Sequence, residues 1–443
     1  MSRLEGMLSE VLAAHAGDAG DGGPLLDGIR RRERRRRRRT VGVATAAVLV
    51  AVVGVATVVH RSPRPAPALP AGHTPTASVS SSQPPDERDG ATALAGGRWT
   101  TTPPSPSGTR LGSLLVWDGD ELLQLGGAGT GTRTGAAALD PRTGRWRTLA
   151  DAPFPIATDY QGTTDSQPRA VWTGKEVFVL TERGAALLDP VTGTWTTLPA
   201  PPLSHLDAAD LAVAAGEVLV TTQATGTARA TEVAVLTPAT RRWARLDPPA
   251  VERHDPLGVL VTGVGDDVML WSLWGHTEST GVNETTGTSG IDVHRLGPDR
   301  RWRTVTGAWP QHEAGPTPLY TGSRLVLPPG QIWCGACSHP ASFDAPGYLV
   351  DPTTFARQTI NPVPDNRSAP WVWTGQTVLA VDLAVWDPRS NTWTSTPAAP
   401  AGLDDRTVAV WGGHQLFAVD TAGRLLSYAA HPPPWAGGAT SGG

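Results

Sequence analysis

The sequence predicts an all-β fold, a β-propeller of seven blades, with six blades as the alternative. Three observations indicate it: two short sequences that recur along the 443-residue chain, and a strand-like sequence that stands apart at one end. The composition agrees with this fold. Gly (50) and Pro (41) are abundant and charged residues make up only 18% of the chain, which is typical of turn-rich β-proteins.

The first recurring sequence is a heptad with the spacing Asp-Pro-x-Thr-x-x-Trp. Its complete and altered copies lie at 140–146, 189–195, 237–243, 297–302, 351–357 and 387–393. The copy at 351–357 lacks the Trp. Asp can bond its own backbone, Pro fixes φ and Gly accepts a positive φ, so the heptad predicts a tight turn. We expect its Trp to pack one blade against the next.

The second recurring sequence resembles a strand, a tight turn with Gly and a second strand. It reads VWDGDELLQL at 116–125, and its six further copies lie at 171–180, 214–222, 263–271, 320–327, 372–381 and 410–419. A third strand, such as AAALDP, leads into the heptad, and a fourth strand follows its Trp. Four short antiparallel strands repeated in this way predict the blade of a propeller.

The strand-like sequence that stands apart predicts how the ring closes. GRWTTTPPSP at 97–106 resembles a fourth strand, yet it precedes the first full blade. The last blade, at 407–430, lacks a fourth strand. We therefore expect the N-terminal strand to complete the last blade, which leaves no free sheet edge there.

The spacing of the heptad resembles the Kelch repeat, the blade motif shared with the central domain of galactose oxidase. The resemblance covers about residues 97–430, and the Kelch double glycine survives as Gly126-Gly127. Galactose oxidase needs copper bound by Tyr and His, and a Tyr joined to Cys. None of the four Tyr of this chain shows a matched His pair or a separate Cys, so the resemblance does not extend to the oxidase chemistry.

No other catalytic motif is present in the sequence. A Ser nucleophile elbow, an HExxH zinc site and a phosphate loop are all missing. We therefore expect a binding module with no catalytic residue, no metal and no cofactor. Its ligand would be a protein or a glycan of the cell envelope. The alternatives are an envelope hydrolase or oxidase on a propeller scaffold, and a transmembrane signalling protein.

The N-terminal segment predicts a single membrane span. Residues 1–40 are Arg-rich, and residues 41–59 contain no charge. A spanning helix needs about 20 apolar residues, and cytoplasmic flanks are enriched in Arg and Lys. We expect a transmembrane helix at 41–60 with a cytoplasmic N-terminus and an extracellular propeller. A cleaved export signal is the alternative.

The remaining segments outside the propeller are low in apolar content or short. Residues 61–96 predict a disordered Pro/Ser/Ala-rich linker, and residues 431–443 a disordered tail. At the other end, residues 2–15 place Leu4, Leu8 and Val11 on one helical face, which indicates either a cytosolic partner or a frayed tail. Residues 41–443 carry a net charge of −8 (−4 for the chain minus +4 for residues 1–40), which argues against nucleic-acid binding.

The only cysteines, Cys334 and Cys337, lie in QIWCGACSHP. An oxidising exterior and an even count favour a short-loop disulfide between them. A redox pair and a metal site with His339 remain open. Haem attachment is excluded because Ser338, not His, follows the second Cys.

The candidate ligand-binding residues lie on the connections that are long. In a four-stranded blade, the second-to-third connection and the crossing to the next blade leave one face of the ring. Binding groups concentrate on variable loops held by a rigid scaffold. The candidates on these segments are Asp159, Tyr160, His254, Asp255, Trp274, His276, His312, Glu313 and Trp333. For the polar segment 275–294, a solvated hairpin tip is the alternative.

Overall fold

The structure is a computed structural model. It describes residues 90–129, 133–156, 168–206, 209–223, 231–249, 256–281, 284–305, 318–327, 347–361, 363, 370–381, 384–400, 402–403, 407–431 and 433–435. The predicted cytoplasmic segment, membrane span and almost all of the predicted linker lie outside these residues. Among the described residues, no helix has the length and apolar character needed to cross a membrane.

A short helix and two strands precede the first blade. They are α1 (Ala91–Ala95), β1 (Arg98–Thr101) and β2 (Arg110–Leu111). β2 pairs with the equally short β5 (Ala128–Gly129). Blade 1 consists of β3 (Leu114–Trp117), β4 (Leu122–Leu125), β6 (Ala136–Asp140) and β7 (Arg145–Leu149).

Blades 2 to 6 repeat the four-stranded antiparallel sheet in chain order. Blade 2 consists of β8 (Arg169–Trp172), β9 (Val177–Thr181), β10 (Gly184–Asp189) and β11 (Thr194–Thr197). Blade 3 consists of β12 (Asp210–Ala214), β13 (Glu217–Gln223), β14 (Thr231–Thr237) and β15 (Arg242–Leu246). Blade 4 consists of β16 (Pro256–Val264), β17 (Asp267–Gly281), β18 (Glu284–Leu296) and β19 (Trp302–Val305).

The later blades have shorter strands. Blade 5 consists of β20 (Leu319–Tyr320), β21 (Leu325–Leu327), β22 (Gly347–Val350) and β23 (Arg357–Ile360). Blade 6 consists of β24 (Trp371–Trp373), β25 (Val378–Ala380), β26 (Ala384–Asp387) and β27 (Thr392–Ser395). Blade 7 takes β28 (Val408–Gly412), β29 (Gln415–Val419) and β30 (Leu425–Ala429) from the C-terminal end of the chain.

β1 is the fourth strand of blade 7, as the sequence predicts. It pairs antiparallel with β30, from Arg98 opposite Ala429 to Thr101 opposite Leu426. The first strands of successive blades contact one another in a complete cycle, and β28 contacts β3 to close it. The molecule is therefore a closed seven-bladed propeller, which excludes the six-bladed alternative.

A Trp at the start of the outer strand joins each blade to the one before it, except in blade 5. The indole N–H donates to a backbone carbonyl just after the outer strand of the preceding blade. The pairs are Trp99–Pro397 (3.2 Å), Trp146–Pro103 (2.9 Å), Trp195–Ala150 (2.8 Å), Trp243–Pro199 (2.9 Å), Trp302–Asp247 (2.9 Å) and Trp393–Asn361 (2.7 Å). In blade 5 this position is Arg357. The expected packing role of the Trp is confirmed, with a hydrogen bond added to it.

The heptad forms the tight turn that its sequence predicts. In blade 2, Oδ1 of Asp189 accepts the backbone N–H of Val191 (2.9 Å) and Thr192 (3.2 Å). The N–H of Gly193 donates to the backbone carbonyl of Asp189 at 2.9 Å. Gly193 has φ +70°. The repeated heptad is thus a tight turn between the third and fourth strands that contains one residue in the left-handed conformation, and we call each copy a corner.

Apolar side chains fill the spaces between neighbouring blades. One cluster joins blades 1 and 2, a second joins blades 2 and 3, and a third joins blades 3 and 4. Strands buried on both faces explain why the second and third strands read as continuous apolar runs. This core holds the connections at both faces of the ring.

The folded part begins before residue 97, the predicted boundary of the propeller. Leu94 of α1 is fully buried in the cluster that joins blades 6 and 7. The Tyr428 hydroxyl donates to the backbone carbonyl of Leu94. Residues 91–95 therefore belong to the propeller rather than to the linker, because one apolar side chain finds a buried position there.

Candidate functional site

The two faces of the ring differ in their connections. First-to-second and third-to-fourth connections within a blade are two to six residues long; we call their side the tight-turn face. Second-to-third connections and the crossings between blades leave the opposite side, which we call the long-connection face. The crossing at 150–168 and the connection at 328–346 are the longest of these.

Seven of the nine candidate residues lie outside the described residues. These are Asp159, Tyr160, His254, Asp255, His312, Glu313 and Trp333. Cys334 and Cys337 also lie outside them, so their disulfide stays a prediction. The described ends of all these segments nevertheless belong to the long-connection face.

Trp274 and His276 lie on β17, where the backbone is described. Trp274 is paired with Gly290 on β18 and with Pro256 on β16, and His276 is paired with Thr288. The segment 272–290, interpreted as a long connection, belongs instead to the β-hairpin of β17, which ends at Gly281, and β18, which begins at Glu284. Five Thr residues favour this, since β-branched residues fit a pleated strand. This outcome matches the hairpin alternative.

The inner strands carry polar contacts that join one blade to the next around the axis. Nε of Arg169 donates to the carbonyl of Ala209 at 3.1 Å, and Oδ2 of Asp210 accepts the N–H of Val261 at 2.9 Å. Arg169 and Asp210 are the first residues of β8 and β12, so both lie at the long-connection end. We call this pair the axial rim.

The carboxyl group of Asp210 is held in an unusual electrostatic state. Burial raises its pKa, against the lowering influence of the Val261 N–H, the Arg169 charge and the Leu211 N–H. A carboxylate between two inner strands is therefore easier to protonate than an exposed one. This is the kind of perturbed group that clusters at functional sites.

Blades 3 and 4 enclose polar side chains at the same end of their interface. Thr221 follows Leu219 by two residues on β13, and Ser272 follows Leu270 by two residues on β17, so both continue faces that build the apolar cluster. Asp292 is opposite Ser272 on β18. With His294, these residues form what we call the blade 3/4 polar layer. Strand alternation places all four on the faces that the two blades turn towards each other.

Three atoms of this layer are buried without a hydrogen-bond partner. They are Oγ1 of Thr221, Oγ of Ser272 and Nε2 of His294, in side chains that are at most 1% exposed. The other ring nitrogen of His294 is 3.0 Å from Oγ1 of Thr304. Burial lowers the pKa of His294, against the raising influence of Asp292, so the neutral imidazole is favoured.

The layer is not a catalytic triad. No hydrogen bond joins Ser272 to His294, and the described bond of His294 goes to Thr304 rather than to Asp292. Within the described residues, no group of three or more His, Cys, Asp or Glu could hold a metal ion. What the layer supplies is a set of unpaired hydrogen-bonding groups.

The sequence-based analysis missed the axial rim and the polar layer. Their signal is a polar residue within or at the end of an apolar strand, as in ADLAV at 209–213 and GIDVH at 290–294. Such residues break the apolar run of a strand buried on both faces. That signal is weak because the same pattern also marks a half-exposed strand.

Comparisons with known proteins give similarity of fold only. No family model matches the chain, and no curated protein matches it. Solved structures do match, among them one titled "Structure of YjhT". It is 14% identical, with a TM-score of 0.38, and the match covers 60% of this chain and 88% of that one. The seven-bladed architecture stands on the sheet topology described above.

Proposed function

We propose that this chain is a membrane-anchored, extracytoplasmic Kelch-like propeller that binds a protein or glycan of the cell envelope on its long-connection face. The observation that carries the proposal is the difference between the two faces. One face consists of tight turns, and the other holds every long connection of the ring. A rigid ring that presents variable segments on one side is the arrangement that binding sites use.

The Kelch-like assignment is supported by the double glycine. Gly126 and Gly127 have φ +64° and +92°. A Cβ on Gly126 would lie 1.8 Å from the carbonyl oxygen of Ile156. The backbone of Gly126 can approach Ile156 this closely only because glycine has no side chain. This close approach explains why the double-glycine motif needs glycine at this position.

Two further features support a site on the long-connection face. Both the axial rim and the blade 3/4 polar layer lie towards this face. A buried polar atom without a partner costs about 1–3 kcal/mol, so this layer is destabilising for the fold alone. Its unpaired side chains are at most 1% exposed, so we infer that the layer acts on the proposed site through the packing of blades 3 and 4 and not by contact with the ligand.

Within the described residues, the chain enters and leaves the ring at the tight-turn face. β1 enters blade 7 at the tight-turn face, because Arg98 is opposite Ala429, the last residue of a third strand. A linker that reaches residue 90 from a membrane span would therefore join the propeller near the tight-turn face. The proposed ligand face lies on the other side of the ring.

Capture of envelope components by the full chain tests the binding face. Trp274→Ala, His312→Ala and Trp333→Ala should each reduce capture of the components that the native chain retains. Lys175→Ala is the matched control, since Lys175 is exposed on the tight-turn face. Asp118 is unsuitable as a control, because its Oδ1 accepts the N–H of Asp120 and Glu121. Loss of capture with Lys175→Ala alone, at unchanged melting temperature, would place the site on the other face.

Topology is tested by a reporter that is active only outside the cytosol, fused after residue 443. Activity in the membrane fraction is expected, since Arg residues precede the uncharged segment 41–59. Activity wholly in the medium would indicate a cleaved export signal. No activity in either fraction would indicate that residue 443 lies in the cytosol, the opposite of the proposed orientation.

A further inference from the structure

The C-terminal segment carries a Trp that is seated on a corner of the first blade. Nε1 of Trp435 donates to the backbone carbonyl of Pro141 at 2.7 Å. Pro141 and Gly144 belong to the blade 1 corner. A Cβ on Gly144 would lie 2.6 Å from Cγ and 2.8 Å from Cδ1 of Trp435. The indole therefore lies directly against the backbone of Gly144, where only glycine leaves room.

The corner of blade 2 provides a matched comparison. Gly193 occupies the same place in its heptad as Gly144, and their φ values are +70° and +69°. A Cβ on Gly193 would meet only Leu149, with Cδ2 at 3.3 Å, the end of a flexible side chain. The two corners share their backbone conformation but differ in what lies over them.

The path of the segment gives this contact a role in ring closure. β30 ends at Ala429 in blade 7, and Trp435 lies on blade 1, so these two residues belong to the last and the first blade. β1 is held in blade 7 by its pairing with β30, and the chain continues from β1 into blade 1. A ring closed in this way opens when β1 separates from β30.

We propose that Trp435, docked on the blade 1 corner, is a further clasp of the ring. The clasp ties the C-terminal end of blade 7 to the blade that follows β1. Opening the ring then requires loss of the Trp435 contact in addition to the β1–β30 pairing and the apolar packing between blades 7 and 1. This inference does not depend on the proposed ligand face. It assigns a folded role to residues within the segment 431–443, for which the sequence predicts a disordered tail.

The full chain with variants at the two corners tests the clasp. Gly144→Ala should lower the melting temperature by about 2 °C more than Gly193→Ala, because both lose a favourable left-handed residue but only the first expels the indole. In a Trp435→Ala background, the two Gly→Ala changes should have equal effects. If the difference between them persists without Trp435, the clasp is overturned.

A second measurement separates docking from general stability. The indole N–H of Trp435 should exchange with solvent more slowly in the native chain than in the Gly144→Ala chain, while Gly193→Ala leaves its exchange unchanged. The backbone of β30 should exchange faster in Trp435→Ala than in the native chain, since opening needs one contact fewer. An indole that exchanges in the native chain as fast as in unfolded protein would contradict the proposal.

Discussion

At the scale of the residue, the unpaired hydroxyl of Thr221 allows a specific prediction. Thr221→Val keeps the side-chain shape and removes a buried polar atom that has no partner. We expect it to raise the free energy of unfolding by about 1 kcal/mol. Thr262→Val is the control, because Oγ1 of Thr262 donates to the carbonyl of Pro318 at 3.1 Å, and its loss should cost about 1 kcal/mol. Denaturant unfolding measures both, and a stability loss in Thr221→Val would show that the hydroxyl is paired.

Two carboxyl groups should respond to acid with opposite signs. The N–H groups of Thr354 and Thr353 lower the pKa of Asp351 below 3.8, so its contribution to stability is present above the ordinary pKa and is lost as pH falls through the folded pKa. Burial raises the pKa of Asp210 in the folded protein. The contribution of this group to stability therefore grows as pH falls through that folded-state pKa towards the ordinary pKa of 3.8.

Unfolding experiments between neutral pH and pH 3 therefore distinguish the two groups. Asp351→Asn should lose less stability on acidification than the native protein. Asp210→Asn should lose more stability than the native protein, because Asn cannot take up the proton that stabilises the native fold at low pH. Its amide oxygen still accepts the Val261 N–H. Equal acid dependence in the two variants would contradict the assigned pKa directions.

At the scale of the element, β1 is the strand on which closure depends. It supplies the outer edge of blade 7, and Trp99 on it bonds to Pro397 in blade 6. The segment after it supplies Pro103, the acceptor of the Trp146 indole. A chain that begins at Arg110 should therefore melt well below one that begins at Ala91, which keeps α1, β1 and these bonds. Equal melting temperatures of the two chains would contradict closure by β1.

At the scale of the whole molecule, the sequence predicts the ring better than the site. The seven blades and the closing strand follow from local repeats, since most copies of the heptad specify their own turn through Asp, Pro and a left-handed residue. Asp210 and His294 could not be found in this way. The bond from Val261 to Asp210 and the buried, unpaired Nε2 of His294 both arise where one blade meets the next, and no local pattern encodes which faces meet. The hairpin at 267–296 was predicted only as an alternative and only for part of its length, because a polar strand pair has no apolar alternation to reveal it.

Stability should also be uneven around the ring, with blade 5 the first to open. Blade 5 alone lacks the Trp that bonds to the preceding blade, since its heptad has Arg357 at that position. Its inner strand is two residues long and its second strand three, so few hydrogen bonds hold it. Native-state hydrogen exchange should therefore be fastest in β20–β23 and slowest in blades 1 to 3, because local opening follows contact density. The variant Arg357→Trp should slow exchange in β23 if the indole can reach the carbonyl after β19. Uniform exchange across all seven blades would show that the six Trp bonds do not control opening.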